Sequence, residues 1–484
     1  MIGWIILAII GLCIVVTCIR AAFFTAKRVE TLPLPEEEID EERAAKNLTA
    51  AIQIPTVSDP DEDKVDWAQF TRFHAFLEET YPRVAQTLAR EVIPRASLLY
   101  RWKGTNPDLP PIGLLAHQDV VPAEETDWEH PAFSGHNDGE FIWGRGSVDM
   151  KNHLICVMEA VETLLEEGFT PERDVYLLFG HDEEVVGSLN AGAKSLCNAL
   201  QARGVHQLES TLDEGGAMLD VRAKGIIEAV LAGIGISEKG YVDFEIALSA
   251  KGGHSSQPPK HSALGEMAGV IRDLERHQFR AKMLPLMSEL LDTVGRRLPY
   301  FLRLVMVNHK LLRPVLLAAM KTIPFAACMI RTTTAVTQAQ GSPAANVLPS
   351  RAAITANFRI LPGMTSDDVE RHIRKVVRNK NIEVKKLKFN EPSPVSSTEA
   401  APYKLLKGLI LDSQPGVIAA PFLVMGGTDS HYYNPICGNC YRYSPFLLDI
   451  SLLLCTHAAN ERLPVAALGE GVRFFKRYIK KAAG

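Results

Sequence analysis

Asp174-Val-Tyr-Leu-Leu-Phe-Gly-His-Asp-Glu183-Glu184 is the stretch whose reading decides the fold. Val175 to Phe179 are apolar without a break, and the chain then turns abruptly polar and acidic. A short, continuous apolar run bounded by turn residues reads as a strand buried on both faces. Such strands belong to parallel sheets covered by helices. Two adjacent carboxylates at the buried edge of a strand repel each other unless a cation or a shared proton relieves them. The stretch therefore predicts an α/β fold with chemistry at the carboxyl end of a strand, where ligands of open α/β sheets bind.

The same pattern recurs on both sides. Pro111-Ile-Gly-Leu-Leu-Ala-His117 is an apolar strand ending on a histidine. Residues 150–167 read as a helix with Leu154, Met158, Val161 and Leu165 on one face. A helix is expected over 188–201, and another short strand ends at Leu212-Asp213-Glu-Gly-Gly. Strands alternating with helices of this length predict a mostly parallel sheet. Further on the period changes. Residues 241–250 alternate strictly, with Val242, Phe244, Ile246 and Leu248 on one face, as in a half-exposed antiparallel strand. A helix is expected over 262–277, Ile354, Ala356, Phe358 and Ile360 alternate again, and Thr365-Ser-Asp-Asp opens another helix with acidic residues in its first turn. The expected organisation is a catalytic domain built from 45–236 and 391–484, interrupted by an inserted α+β domain at 237–390. Within the insert, residues 282–331 are rich in Leu, Met and Phe but broken by Pro314, Lys321 and Pro324. They are expected to form a pair of helices whose apolar face is ordinary packing, with a lipid-accepting groove as the sharper alternative.

A chain of 484 residues exceeds one ordinary core, and 46% hydrophobic with 23% charged residues is normal for a folded protein. A net charge of −5 with no long basic block argues against a nucleic-acid surface. The eight cysteines are too few for a disulfide scaffold, and the lone Cys437-Gly-Asn-Cys440 pair reads as two loop thiols. Residues 2–19 are almost unbroken apolar, and eighteen residues of helix span about 27 Å, enough to cross a bilayer core. Residues 1–24 are therefore expected to be a membrane anchor, with a cleaved signal segment as the alternative, followed by a polar tether at 25–44. Arg20, Lys27 and Arg28 after the apolar run would place the body in the cytoplasm, whereas the sequon Asn47-Leu-Thr49 matters only if it faces outward.

The chemistry gathers at strand ends. His117-Gln-Asp119 puts two side chains on one strand face, the imidazole able to bind metal and the carboxylate able to orient it. Asp149 follows Trp143-Gly-Arg-Gly-Ser-Val, where glycines permit a tight approach, and its two oxygens can bridge two cations. Glu183 and Glu184 end the buried strand, Asp213 repeats the theme, and His457 in Thr-His-Ala-Ala-Asn-Glu-Arg462 adds an imidazole from far along the chain. Singly, each has an ordinary reading, such as a surface turn for His117, a helix cap for Asp149 or an exposed Glu-Glu pair. Jointly, mixed nitrogen and oxygen donors without thiolates suit a catalytic zinc pair.

The motifs LLAHQDVVP, WGRGSVDMK, GHDEEVVG, LDEGG, KGGHSSQP, NVLPS, NFRI, GGTDS and THAANER together resemble those of the di-zinc metallopeptidases that include aminoacylase, carboxypeptidase S and carnosine dipeptidases, most of all the N-fatty-acyl-amino-acid hydrolase/synthase branch. The resemblance implies two zinc ions per subunit, bridged by Asp149, with His117 and Asp213 completing one and Glu184 and His457 the other. It implies Glu183 as general base and Asp119 as the carboxylate behind His117. It further implies that the insert is a lid and dimerisation domain, that His254 reaches the partner subunit's site of a homodimer and polarises the scissile carbonyl, that Asn346 and Arg359 hold the substrate and its free carboxylate, and that Gly426 and Gly427 line the pocket. The implied activity is hydrolysis of the amide bond of N-acyl amino acids, with carboxypeptidase or dipeptidase action on short peptides as the alternative. A zinc-binding interaction module without catalysis would lack a base or ligand, and none is missing. Three positions depart from the family pattern: His431, a rival ligand to His457, and Val186 and Ala458, where glycine is common.

Overall fold

The computed structural model describes residues 2–25, 37–185, 191–222, 229–414 and 416–484. Its centre is an eight-stranded sheet in the order Ala89–Ile93, Ser97–Trp102, Val175–Gly180, Ile112–His117, Ser210–Asp220, Cys440–Leu448, Val230–Glu238 and Ile418–Val424. Ile112–His117 runs parallel to both neighbours, and Ser210–Asp220 parallel to Cys440–Leu448, while one edge is antiparallel. The expected α/β architecture with a large, mostly parallel sheet is what the chain adopts. Val175–Gly180 and Ile112–His117 are buried throughout, as continuous apolar runs require. Helix Lys151–Glu166 covers this sheet with Leu154, Val157, Val161 and Leu164 fully buried, each contributing about 1.5–3 kcal/mol of burial.

A second, four-stranded sheet has the order Thr333–Gln340, Arg351–Ile360, Gly240–Ser249 and Ile382–Asn390, all antiparallel. One face carries its own core, where Val242, Phe244, Ile246, Ile354, Ala356 and Phe358 meet helices Ala263–Arg276 and Ser366–Val376. Both helices begin on side-chain caps: Ser262 accepts from Gly265 N, and Thr365 and Asp368 form a reciprocal capping box.

Several expectations are corrected. Residues 282–331 form four short helices rather than two: Pro285–Gly295, Tyr300–Met306, Arg313–Met320 and Pro324–Ile330. Prolines at or next to their first residues divide them. Leu286, Met287, Leu291, Leu316 and Met320 join the core of the large sheet, whereas Phe301, Leu311, Val315, Ile323 and Phe325 are exposed. The N-terminal stretch is a helix, Ile2–Phe23. Among the described residues, however, no helix is long and apolar enough to cross a membrane, which overturns the expected single-pass anchor. The second half of this helix is instead docked on the protein: Thr17 and Ala21 are buried, Asn308 Nδ2 donates to Thr17 O at 3.2 Å, and the Tyr300 hydroxyl donates to Cys18 O at 3.3 Å. Asn47 is no glycan acceptor in this fold, since its amide is buried in helix Glu41–Ile52 and donates to Glu159 Oε1 at 2.6 Å. Lys27, Arg28 and Val186 lie outside the described residues. Cys437 and Cys440 are buried free thiols.

Candidate metal centre

His117 is the last residue of its strand and is buried. Its Nδ1 donates to the Asp119 carbonyl at 2.9 Å, with the Asp119 carboxylate at 3.4 Å. That bond leaves Nε2 free to act as a ligand. Nε2 lies 3.2 Å from Asp149 Oδ1 and 3.3 Å from Glu214 Oε1. Asp119 has a second task. Its carboxylate accepts from Ser58 Oγ at 2.7 Å and from the backbone amides of Glu183 and Glu184 at 3.2 and 3.1 Å, so it holds the loop bearing both glutamates.

Asp149 is presented by a loop folded around one buried carboxylate. Glu461 accepts from the amides of Gly146, Val148 and Asp149 at 3.1, 2.8 and 3.1 Å and pairs with Arg145 at 2.6 Å. Gly146 sits at φ +90°, where a Cβ would come within 2.9 Å of Val120, so the glycine is required. His457, at φ +63°, directs Nε2 to 3.0 Å from Asp149 Oδ2 and 3.1 Å from Glu184 Oε1. Asp149 thus offers one oxygen to each histidine.

Two donors each about 2.0–2.1 Å from one tetrahedral zinc lie about 3.3 Å apart. The separations of 3.0 to 3.3 Å around His117 and His457 fit that spacing. His117, Asp149 and Glu184 bring their ligand atoms within 4.8 Å of one another, as do His117, Glu183 and Glu214. The charges point the same way. Burial, reinforced by the neighbouring Glu214 and Glu184, pushes the Glu183 carboxyl well above the carboxylate range. Burial and the Asp149 charge push Glu214 up to about 8. Burial also raises Glu184, with His457 opposing it. Burial acts on Asp149 too, but the two imidazoles outweigh it and hold that carboxyl low. Hydrogen bonds to Asp149 and Glu184 lift His457 to about 10. Fully ionised, Asp149, Glu183, Glu184 and Glu214 would carry more negative charge than two imidazoles neutralise, an imbalance that a cation bound there would relieve.

The structure brings together His117, Asp119, Asp149, Glu183, Glu184 and His457. Asp213 lies beside this group, next to Glu214. Strand Ser210–Asp220 continues past this residue, and the fully buried Asp213 carboxylate accepts from Glu214 N at 2.9 Å and Ser430 N at 2.7 Å. Its neighbour Glu214 faces His117 instead, because side chains alternate along a strand. Gly215, at φ +90°, and Gly216, where a Cβ would meet two carbonyl oxygens, carry the strand through this crowded point. Glu214, which the sequence reading quoted only within the motif Asp213-Glu-Gly-Gly, is a further acid at the cluster. Sequence reading also missed Glu461, quoted only as part of a motif, and Ser58, for which no local signal exists.

His431 stacks edge-on against Tyr432 and stands apart from Asp149 and Glu184, so the second imidazole at the cluster is His457. His254 is exposed, and its Nδ1 contacts Ser256 Oγ at 2.8 Å rather than the cluster. Asn346 is exposed on the adjoining loop and its carbonyl accepts from Ser255 N at 3.0 Å. Arg359 lies on the four-stranded sheet over the Tyr241 ring, 4.9 Å from its centroid. Gly426 and Gly427 precede Thr428, whose amide and hydroxyl donate to the buried Glu238 carboxylate at 3.0 and 3.2 Å.

Residues 113–481 match the model of peptidase family M20/M25/M40. The chain is 36% identical to "Probable carboxypeptidase S-like 2" of Dictyostelium discoideum, with 94% of this chain and 89% of that protein covered. It is 33% identical to the N-fatty-acyl-amino acid synthase/hydrolase PM20D1 of Homo sapiens (93% and 90% covered) and 32% identical to carboxypeptidase S of Saccharomyces cerevisiae (90% and 83%). Among solved structures it resembles an M20 family metallo-carboxypeptidase from Sulfolobus solfataricus, with a TM-score of 0.66 at 17% identity, 90% of this chain and 98% of that one being covered. Human carnosine dipeptidase 1 gives a TM-score of 0.58 at 15% identity, with 91% and 96% covered. These likenesses follow the strand-end cluster and its sheet over most of the chain: it belongs to peptidase family M20/M25/M40 and is a metal-dependent peptidase or amidohydrolase.

Proposed function

We propose that this protein hydrolyses the amide bond of N-acyl amino acids, fatty-acyl ones included, and releases the free amino acid. The observation that carries the reading is the pair of histidine–carboxylate groups sharing Asp149, with Glu183 beside them. Two zinc ions fit this donor set, one held by His117, Asp149 and Glu214, the other by His457, Asp149 and Glu184. Bound there, they would polarise a carbonyl and acidify a water. Glu183, a buried carboxyl beside His117 and Glu214, takes the proton from the attacking water and returns it to the leaving amine. Asp119 keeps the His117 ring and the glutamate loop in place. Arg359 pairs with the free carboxylate of the substrate, which selects the bond before a terminal amino acid. Asn346 and the Gly426–Gly427 loop hold the rest of the substrate. His254 is exposed in its own chain, and this supports a role across a homodimer, in which the four-stranded domain docks its partner and His254 polarises the carbonyl of the neighbouring site.

The second reading is a carboxypeptidase on short peptides, supported by the likeness to carboxypeptidase S. The deciding experiment compares kcat/KM for an N-dodecanoyl amino acid and for a blocked dipeptide ending in the same amino acid. A higher value for the acyl amino acid is expected. Preference for the dipeptide would establish the peptidase reading, and no turnover of either in the zinc-loaded protein would sink both.

A further inference from the structure

On the four-stranded sheet, Arg359 lies directly across from Tyr241, and Asn357 directly across from Asp243. Their neighbours Val242, Phe244, Ala356 and Phe358 are fully buried on the helix-covered face, so these four side chains share the opposite face. Arg359 and Asp243 are then diagonal neighbours. Such positions are about 7–8 Å apart and within reach of long side chains. Left alone, an aspartate there would fold onto the guanidinium and neutralise it.

The structure shows another arrangement. The Asp243 carboxylate is occupied on both oxygens: the Tyr241 hydroxyl donates to Oδ2 at 2.5 Å, and the Asn357 amide donates to Oδ1 at 2.9 Å. The Arg359 guanidinium rests on the Tyr241 ring at 4.9 Å, and among the described residues it forms no ion pair. Burial and the Asp243 carboxylate push the Tyr241 hydroxyl up to about 12, so it stays a donor across the physiological range. Through Tyr241, Arg359 is linked along the chain to the end of strand Val230–Glu238. Tyr241 is three residues from Glu238, whose carboxylate holds Thr428 beside Gly426 and Gly427.

We infer that Tyr241 is a specificity-determining positioning residue: its ring seats the Arg359 guanidinium, and its hydroxyl, with Asn357, keeps Asp243 off that guanidinium so that its charge is left for a substrate carboxylate. The inference rests on the reading of Arg359 as the carboxylate clamp. It goes further by assigning the device that keeps the clamp open, and it predicts that removing a hydroxyl harms the enzyme by releasing a competitor.

The test uses the zinc-loaded full-length protein with N-dodecanoyl-leucine and its C-terminal amide, or with a blocked dipeptide and its amide should peptides prove the better substrates. Tyr241→Phe keeps the ring and frees Asp243. It is expected to raise KM for the acid about tenfold, the worth of one charge-assisted hydrogen bond, with kcat and the amide's constants within about twofold of wild type. Tyr241→Phe combined with Asp243→Asn is expected to restore KM to within about twofold of wild type, since the competing charge is gone. A merely structural role for Tyr241 would not be rescued by a second substitution. Unchanged KM in Tyr241→Phe, an equal rise for acid and amide, or failure of Asp243→Asn to rescue would each overturn the inference. Arg359→Ala separates the two levels. If it affects acid and amide alike, the clamp reading falls and the inference with it. If it affects the acid alone while Tyr241→Phe behaves as wild type, only the inference falls.

Discussion

The strand-end cluster and the open face of the four-stranded sheet are both charged sites, and they handle charge in opposite ways. The cluster crowds Asp149, Glu183, Glu184 and Glu214 into a buried edge with two imidazoles, and leaves a surplus of negative charge. The sheet face carries one guanidinium and one nearby aspartate, and diverts the aspartate onto a hydroxyl and an amide. A cation site can be made by burying acids together, because burial raises the cost of leaving them unpaired. An anion site made from a single arginine needs its own acid removed from reach. If the first arrangement holds an ion, stability will depend on that ion; if the second serves as proposed, selectivity will depend on a tyrosine.

The largest break in this comparison is at the base. Glu183→Gln is expected to lower kcat by about 10²–10⁴-fold while metal content, measured by elemental analysis, stays that of wild type. Retained turnover would move the base elsewhere. Next come the adjacent acids of strand Ser210–Asp220. Glu214→Ala is expected to lose a bound metal and most activity, whereas Asp213→Asn should keep the metal. The opposite outcome in metal titrations would restore Asp213 as the ligand. Asp119→Ala, which releases both His117 and the glutamate loop, should cost about 10–100-fold in metal affinity or activity.

On the sheet face, Arg359→Ala is expected to raise KM for carboxylate-bearing substrates by about 10–100-fold through loss of charge-assisted hydrogen bonds. An equal effect on amidated substrates would break the contrast between the sites. The smallest effect concerns stability. Glu214 titrates near 8 in the metal-free fold against a usual value of 4.5. The folded chain therefore binds more protons than the unfolded one between those values, and stability falls as pH rises through that window. Chelator-treated protein should show a Tm that drops from about pH 5 to about pH 8. Zinc at about 100 times its Kd should add about 2.7 kcal/mol and flatten the slope. A pH-independent Tm in the chelated protein would remove the charge surplus from the account.

Much of the fold was legible because burial leaves a periodic trace. The apolar runs ending at His117 and Gly180 are the central parallel strands, and the alternation from Val242 to Leu248 is the antiparallel one. The misreadings have physical causes. A rich apolar composition over 282–331 does not say how often the chain turns, and four prolines near helix starts decided it. An apolar N-terminus does not say what covers it, and here Thr17 and Cys18 meet Asn308 and Tyr300. At the site, six clustered side chains were legible as residue types beside turn signals. Glu214 was not, because only the folded strand shows which neighbours turn towards His117.

The sequence by itself determined the chemistry available: imidazoles and carboxylates at strand ends, two adjacent glutamates after a buried strand, a membership carried by motifs spread over the chain. These are properties of residue type and local period, and they survive without coordinates. Only the tertiary structure decided which of Asp213 and Glu214 faces His117, that Glu461 folds the Asp149 loop around itself, and that Tyr241 and Asn357 draw Asp243 away from Arg359. Each of these depends on a contact between residues brought together by strand pairing or chain return, and a hydrogen bond of about 3 Å is specified by where two backbones meet rather than by either segment alone.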